Sequence, residues 1–409
     1  MSELRKLPSG WRWAKLGEVC DVVKGVTPRR EWYTAEGVRI VKFRDIKAGK
    51  LNWEPGVNSY VPDSRIPRLR KLRTGMTLVG ADAHNPEYIG KKVCFVRIIP
   101  ENPAFFSGEL MSFQSKDAEC IADEWSFLWL SSAAGYEAVQ NKVSGMHLNA
   151  NPAKEIPIPL PPLPKQNHII KLFNRQMAEV EKMRLAAEEK VAAVCLLPSA
   201  LLREVFPYNK NDKLPDGWDL VKLGEVISEM KDGGTPPRKN PDNFGGDINW
   251  CVVKDIRPEI WQTKENLTEK GLQNCSAKVW DAGSVIISLG ATIGNVGIAK
   301  IPVATKQGLS GIVVNSEKIT PEYLYYVLRH NKDFILSLAS GTTIKEVRPS
   351  RLQEKLTFPL PPLPEQRQQV KLLNHQLAAA AKAQQAADEE LNAINALPGA
   401  LLRQAFAIE

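Results

Sequence analysis

The sequence predicts an α+β protein: two globular mixed α/β domains separated by two long antiparallel helices that form a coiled coil, with a pseudo-two-fold internal repeat. Three observations predict it. Landmarks at the start and end of one half recur in the other, an apolar seam at heptad spacing occurs twice, and the stretches between landmarks hold short β-rich runs followed by a helical run. The expected division is 1–157 for the first domain, 158–206 for the first repeated helix, 207–357 for the second domain and 358–409 for the second helix.

The repeat is the strongest signal in the 409 residues. Residues 158–166 read IPLPPLPKQ and 358–366 read FPLPPLPEQ; 197–206 read LPSALLREVF and 397–406 read LPGALLRQAF. Both pairs are offset by 200, so the segment between them has one length in both copies. The starts match as well, LPSGWRWAKLGEV at 7–19 against LPDGWDLVKLGEV at 214–226, and TPRR at 27–30 has its partner in TPPR at 235–238. Asp45-Ile46 and Asp255-Ile256 each follow an apolar, basic stretch. Fixed landmarks around a divergent middle indicate two copies of one unit.

Within the constant segment, Ile170, Phe173, Met177, Val180, Ala187, Val191 and Val194 recur at alternating steps of three and four, as do Val370, Leu373, Leu377, Ala380, Ala387, Leu391 and Ile394. That spacing is a coiled-coil seam. The residues expected to carry the helix–helix contact are Val180, Val191, Val194, Leu373, Leu377, Leu391 and Ile394. Arg184 and Gln384 interrupt the seam at the same place in each copy. A polar seam residue fixes register, or a long stem snorkels past the contact. Pro164 and Pro364 suit the first helical turn, where no amide hydrogen is needed. Pro198 and Pro398 are expected to end or kink the helices, leaving short apolar tails, Ala200 to Phe206 and Ala400 to Phe406. A helix over 166–197 would be roughly 50 Å long.

The variable blocks supply the β content. Val38–Phe43, Thr77–Val79 and Val93–Ile99 read as strands in the first, ahead of a helix over roughly Ala122–Val143. In the second, Ile248–Val253, Ser284–Ser288, Val296–Ile301 and Gly311–Val314 read as strands, and Pro321 opens a helix to about Ala339. Strands followed by a helix, without regular alternation, argue for α+β rather than a doubly wound sheet. Trp11 and Trp218, which recur in both starts, are expected to pack in the cores.

Net charge is +8, which favours an anionic partner such as nucleic acid. Cys20, Cys94, Cys120, Cys195, Cys251 and Cys275 form no CxxC pair and the histidines are scattered, so no metal site is expected. Scattered cysteines fit a reducing compartment. The first residues lack an apolar leader, and Val191–Leu197, the longest unbroken apolar run, is far too short to span a bilayer. A cytoplasmic protein is expected. Asn85-Pro86-Glu87-Tyr88 lacks the second proline of an adenine-methyltransferase NPPY motif. The nuclease-like Pro215-Asp216 with Glu229 and Lys231 has no acidic counterpart in the first copy. No GxxxxGK[ST] loop and no GxSxG elbow is present. These absences point away from catalysis.

The Thr-Pro loop, the strands, the Gly341-Thr342 segment and the PLPPLPEQ approach to a long helix together resemble the specificity subunit of type I restriction-modification systems. GGTPPRKN at 233–240, ATIGNVGIA at 291–299 and TKQGLSG at 305–311 make the second half the closer fit. The resemblance implies a non-catalytic subunit that binds a bipartite, asymmetric DNA site, one half-site per target-recognition domain, with the helices as a ruler. It also implies two docked methyltransferase subunits, S-adenosylmethionine bound in those partners and not in this chain, and restriction subunits that can join. Candidate DNA contacts are Thr27, Arg29, Arg30, Lys42, Arg44, Arg68 and Arg70 in the first half, with Arg65, Lys71 and Arg73 beside them. In the second half they are Thr235, Arg238, Lys239, Lys254, Lys306 and Gln307. Arg and Gln are chosen because they form paired hydrogen bonds to guanine and adenine edges. Two other readings stay open: a coiled-coil scaffold whose ends bind proteins, and a two-headed DNA-binding regulator without enzymatic partners.

Overall fold

The computed structural model describes residues 6–100, 103–206, 214–290, 292–341 and 345–406. Thr342, expected beside Gly341, lies outside them, as does Ala291 at the head of ATIGNVGIA. The chain divides into two compact units: 1–188 with 389–409, and 189–388. Each unit therefore contains one globular domain and a stretch of both long helices.

In the first unit, Cys20–Lys24, Leu110–Ser115, Thr77–Gly80 and Val93–Phe95 form an antiparallel four-stranded sheet in that order. A second sheet orders Tyr60–Val61, Val38–Val41 and Ala104–Phe106, the last two parallel. In the second unit, Ile227–Asp232, Leu309–Val314, Val285–Ser288 and Val296–Ala299 repeat the first order, and Glu259–Ile260 adds a fifth, parallel strand. Its second sheet orders Glu265–Leu267, Phe244–Cys251, Val303–Thr305 and Val279–Trp280. The duplication thus persists in topology across stretches whose sequences have diverged. The Val38, Thr77 and Val93 strands and their counterparts lie where the periodicity puts them, with ends shifted. Phe43–Asp45 and Val253–Asp255 instead turn as short 3-10 helices, because Asp45 and Asp255 accept the amides of Lys42 (2.8 Å) and Val252 (3.0 Å). That closes the chain locally and ends the strand.

The domain helices correct two expectations. Ala122–Val143 is not one helix but Asp123–Ser131 and Ala133–Gln140. Ser132 is extended, and its hydroxyl caps the second piece by accepting the amide of Gly135 at 3.0 Å. The helix opened by Pro321 stops at His330 and resumes over Lys332–Ser337, broken at Asn331.

The long helices also outrun their expected ends. They span Leu163–Val205 and Leu363–Ala405, 43 residues each, straight through Pro198 and Pro398. An internal proline costs about 3 kcal/mol. Here the residues beyond it are buried: Leu202 and Phe206 in one unit, Leu402 and Phe406 in the other. At about 1.5–3 kcal/mol for each large side chain, two such burials offset the lost hydrogen bond. Phe406 packs against Trp125 and Trp129, with ring centroids 5.1 and 5.2 Å away; Phe206 packs against Tyr323 and His330, both at 5.4 Å. The expected apolar tails are thus helical plugs of the domain cores.

Within each unit the helix segments run antiparallel. In the first, Ile170 and Phe173 share a core with Leu402 and Phe406, while Val180 and Ala187 cluster with Ile394, Leu391 and Leu397. Ascending positions on one helix meet descending positions on the other. In the second, Leu202 and Phe206 share a core with Val370, Leu373 and Leu377, and Cys195 Sγ lies 3.1 Å from Gln384 Oε1. Val191 and Val194 are half-buried. Arg184 turns along its own helix to Glu181 and Glu188 rather than crossing the seam, and Gln384 also donates to Asp388.

The PLPPLP motifs have a structural use. Pro157–Leu160 pairs antiparallel with Arg12–Lys15, and Thr357–Leu360 with Asp219–Lys222. The carbonyls of Pro159 and Pro157 accept the indole N–H of Trp125 and Trp129, both at 2.8 Å; that of Pro359 accepts the Tyr323 hydroxyl at 3.1 Å. Trp11 and Trp218 sit at core margins, half-buried rather than central: Trp11 meets Trp125 edge-on at 5.8 Å and Trp218 donates to Glu365. The glutamine that closes each motif is fully buried. Gln166 accepts the Ala122 amide (2.9 Å) and donates to the carbonyls of Cys120 (3.0 Å) and Pro161 (2.9 Å). Gln366 makes the same three bonds, from Thr320 (3.0 Å) and to Lys318 (2.8 Å) and Pro361 (2.9 Å). Each glutamine locks the first turn of its long helix to the loop before a domain helix. Gln366→Ala removes the partners of three backbone groups, one buried and two part-buried, and is expected to lower stability by about 1–3 kcal/mol. Chemical denaturation measures the loss, and hydrogen exchange is expected to rise first at the Thr320 amide.

Candidate nucleic-acid interface

Both units bring three loops together in the same way, by backbone hydrogen bonds. In the second unit, Gly233 donates to Leu309 (2.9 Å), Gly234 to Thr305 (2.9 Å) and Lys306 to Cys251 (3.0 Å). In the first, Gly25 donates to Leu110 (2.9 Å), Val26 to Phe106 (3.3 Å) and Ser107 to Val41 (2.9 Å). The approach leaves no room for a side chain: a Cβ on Gly233 would lie 2.1 Å from the Thr305 carbonyl oxygen, and one on Gly25 equally close to that of Ser107. The conserved spacing of these glycines ahead of each Thr-Pro pair therefore has a steric cause.

This stitching gathers several candidates. Thr235, Lys254, Lys306 and Gln307 lie on the three stitched loops of the second unit; Gln307 and Lys254 are exposed, Thr235 and Lys306 half-buried. Asp232 sits beneath them, 3.4 Å from both the Gly308 amide nitrogen and the Ser310 hydroxyl, and burial raises its pKa above the usual carboxylate range. Thr27, Lys42 and Arg44 occupy the equivalent loops of the first unit. The Lys42 ammonium stands 4.1 Å over the Tyr33 ring; burial and then the neighbouring Arg44 lower its pKa. Arg44 is held by the Val57 carbonyl and by Ser59 at 3.2 Å.

Other candidates stand elsewhere in their units. Arg29 and Arg68 converge, with Arg65, on Trp32, while Arg30 is exposed beside them. Arg70, Lys71 and Arg73 line a separate cleft of about 500 Å³ with Lys116 and Lys154. Arg238 is not free: it makes two bonds to Glu265, at 2.5 and 3.3 Å, and stacks 5.0 Å from both Phe244 and Trp250. Lys239 is exposed. Sequence reading missed Trp32 and Tyr33 as organisers, although an aromatic pair one residue beyond a basic pair was the available signal. Cys20, Cys94 and Cys251 are buried, and desolvation pushes each thiol up to about 12, so they are inert packing groups.

The family model for the type I restriction modification DNA specificity domain matches residues 78–188 and 215–391. The chain belongs to that family. Among similar proteins, the putative type I restriction enzyme MjaX specificity subunit of Methanocaldococcus jannaschii is 23% identical over 90% of this chain and 86% of its own. The StySPI specificity subunit of Salmonella potsdam is 22% identical over 98% and 89%. The MjaIX specificity subunit of M. jannaschii is 33% identical, over 36% of each chain. A chain solved in work on complex assembly and conformational transition of the type I R-M system shares the fold at a TM-score of 0.75, with 24% identity over 98% of both chains. The HsdS subunit from Thermoanaerobacter tengcongensis does so at 0.61, with 24% identity over 98% of this chain and 97% of that one. Type I specificity subunits recognise DNA within a larger complex and carry no catalysis themselves, so the scaffold and regulator readings are not favoured. No helix among the described residues is long and apolar enough to cross a membrane.

Gly233→Ala forces the Thr305 backbone away and is expected to cost about 1–3 kcal/mol of stability. Denaturation measures this, with faster hydrogen exchange at the Gly234 and Lys306 amides marking the opened loops.

Proposed function

We propose that this specificity subunit reads a bipartite, asymmetric duplex site, one half through each stitched loop set. The domains at 1–157 and 207–357 are the two readers, and the helices at 158–206 and 358–409 set the unspecified gap. Two methyltransferase subunits dock on the chain, bring S-adenosylmethionine, and methylate adenine; restriction subunits join to form the nuclease, and the complex works in the cytoplasm. The observation that carries the reading is the recurrence of one backbone scaffold bearing different polar side chains. Thr27, Lys42 and Arg44 stand on one copy, and Thr235, Lys254, Lys306 and Gln307 on the other. A common scaffold with different donors suits two unlike half-sites, because base edges are distinguished by donor and acceptor pattern.

The test is to coexpress the chain with its methyltransferase partner and map methylated adenines by single-molecule sequencing. One motif with two unlike halves and a constant gap is expected, and Gln307→Ala relaxes one half only. A contiguous or palindromic motif contradicts the reading.

A further inference from the structure

We propose that Arg29, Arg65 and Arg68, gathered around Trp32, form a clamp for DNA backbone phosphates in the first unit, whereas Arg238, in the matching loop of the second, is neutralised within its own unit. The inference rests on the DNA-recognition reading and adds a division of labour: the first unit supplies more of the ionic grip.

The Trp32 ring centroid lies 4.7 Å from the guanidinium carbon of Arg65, 5.7 Å from that of Arg29 and 5.8 Å from that of Arg68. Arg29 comes from the Thr-Pro loop, whereas Arg65 and Arg68 belong to the short helix Asp63–Arg68. Two separate segments thus deliver positive charge to one indole. Like charges gathered this way repel, and stacking on the ring offsets only part of that. Compensation by acids is slight. Among the described residues, Arg65 and Arg68 have no carboxylate within 4.0 Å, and Arg29 reaches only Glu31, at that limit. The Arg65 Nε is buried with no hydrogen-bond partner. The cluster is therefore charged, preorganised and unsatisfied. A base edge offers acceptors but no net charge, whereas a phosphodiester brings a full negative charge that offsets the repulsion. With cations around it, Trp32 is also a poor platform for stacking a base.

The second unit treats the corresponding loop in the opposite way. Arg238 of TPPR is bound twice by Glu265 and sits against Phe244 and Trp250. Its charge is answered before DNA arrives, and its donors are engaged in holding the loop.

The experiment measures equilibrium binding of the full-length chain with its methyltransferase partner to a duplex carrying the mapped site, from about 50 to about 200 mM salt. Each phosphate contact contributes about 0.9 to the slope of log affinity against log salt. Arg65→Ala with Arg68→Ala is expected to flatten the slope by about 1.8. Trp32→Leu keeps every charge but scatters the cluster, and is expected to weaken binding about tenfold at fixed salt. Arg238→Gln leaves the slope unchanged. Glu265→Gln frees Arg238 and is expected to steepen the slope, which keeps the contrast testable if Arg238→Gln fails to fold. An unchanged slope in the Arg65/Arg68 variant overturns the clamp. Flattening by Arg238→Gln, or no steepening by Glu265→Gln, overturns the contrast between units. A parent complex that binds the duplex without salt dependence instead contradicts the DNA-recognition reading itself.

Discussion

The fold depends on the antiparallel pairing of two duplicated helices whose tails close the domain cores. Neither helix is stable alone, because its seam is apolar and its interior contains a proline. The same tail that prolongs the helix past Pro198 delivers Leu202 and Phe206 into the core holding Tyr323. The tail past Pro398 delivers Leu402 and Phe406 against Trp125 and Trp129. Helix pairing and domain packing are thus one cooperative event in each unit. A domain detached from the helix tail in its unit would expose large aromatic side chains.

On this frame the buried glutamines act as joints. Gln166 and Gln366 tie a helix start to a domain by three hydrogen bonds that use both ends of one amide. A carboxylate in the same place has no N–H groups to donate, which explains why the duplicated motif ends in glutamine although lysine and glutamate both occur just before it. The two units then differ in the side chains on their matched loops and in the extra strands of the second unit.

Much of this was legible in the sequence because duplication supplies an internal comparison. Equal offsets at PLPPLP and ALLR announced two equivalent helices, and the seam at Val180, Leu373 and Ile394 followed from spacing. The helix ends were not legible: local propensity stops a helix at Pro198, and only long-range burial of Leu202 and Phe206 carries it on. The breaks at Ser132 and Asn331 were hidden for a similar reason, since both flanking pieces have helical patterns. Several basic candidates could be named from charge alone, but charge does not show partners. TPRR and TPPR look alike as loops, and only the fold shows Arg238 held by Glu265 and Arg29 gathered on Trp32.

The central claim, antiparallel pairing of the duplicated helices, is most directly tested by a covalent link across the seam. Cys195 is exposed on the first helix, with its sulfur 3.1 Å from the Gln384 side chain on the second. Gln384→Cys puts a second thiol on the facing helix, within the span of a short thiol–thiol crosslinker. A short bifunctional thiol reagent is expected to join them within one chain, detected by mass spectrometry as a 195–384 linked peptide. Unlinked cysteines at both positions after crosslinking, or links only between separate chains, would contradict the pairing.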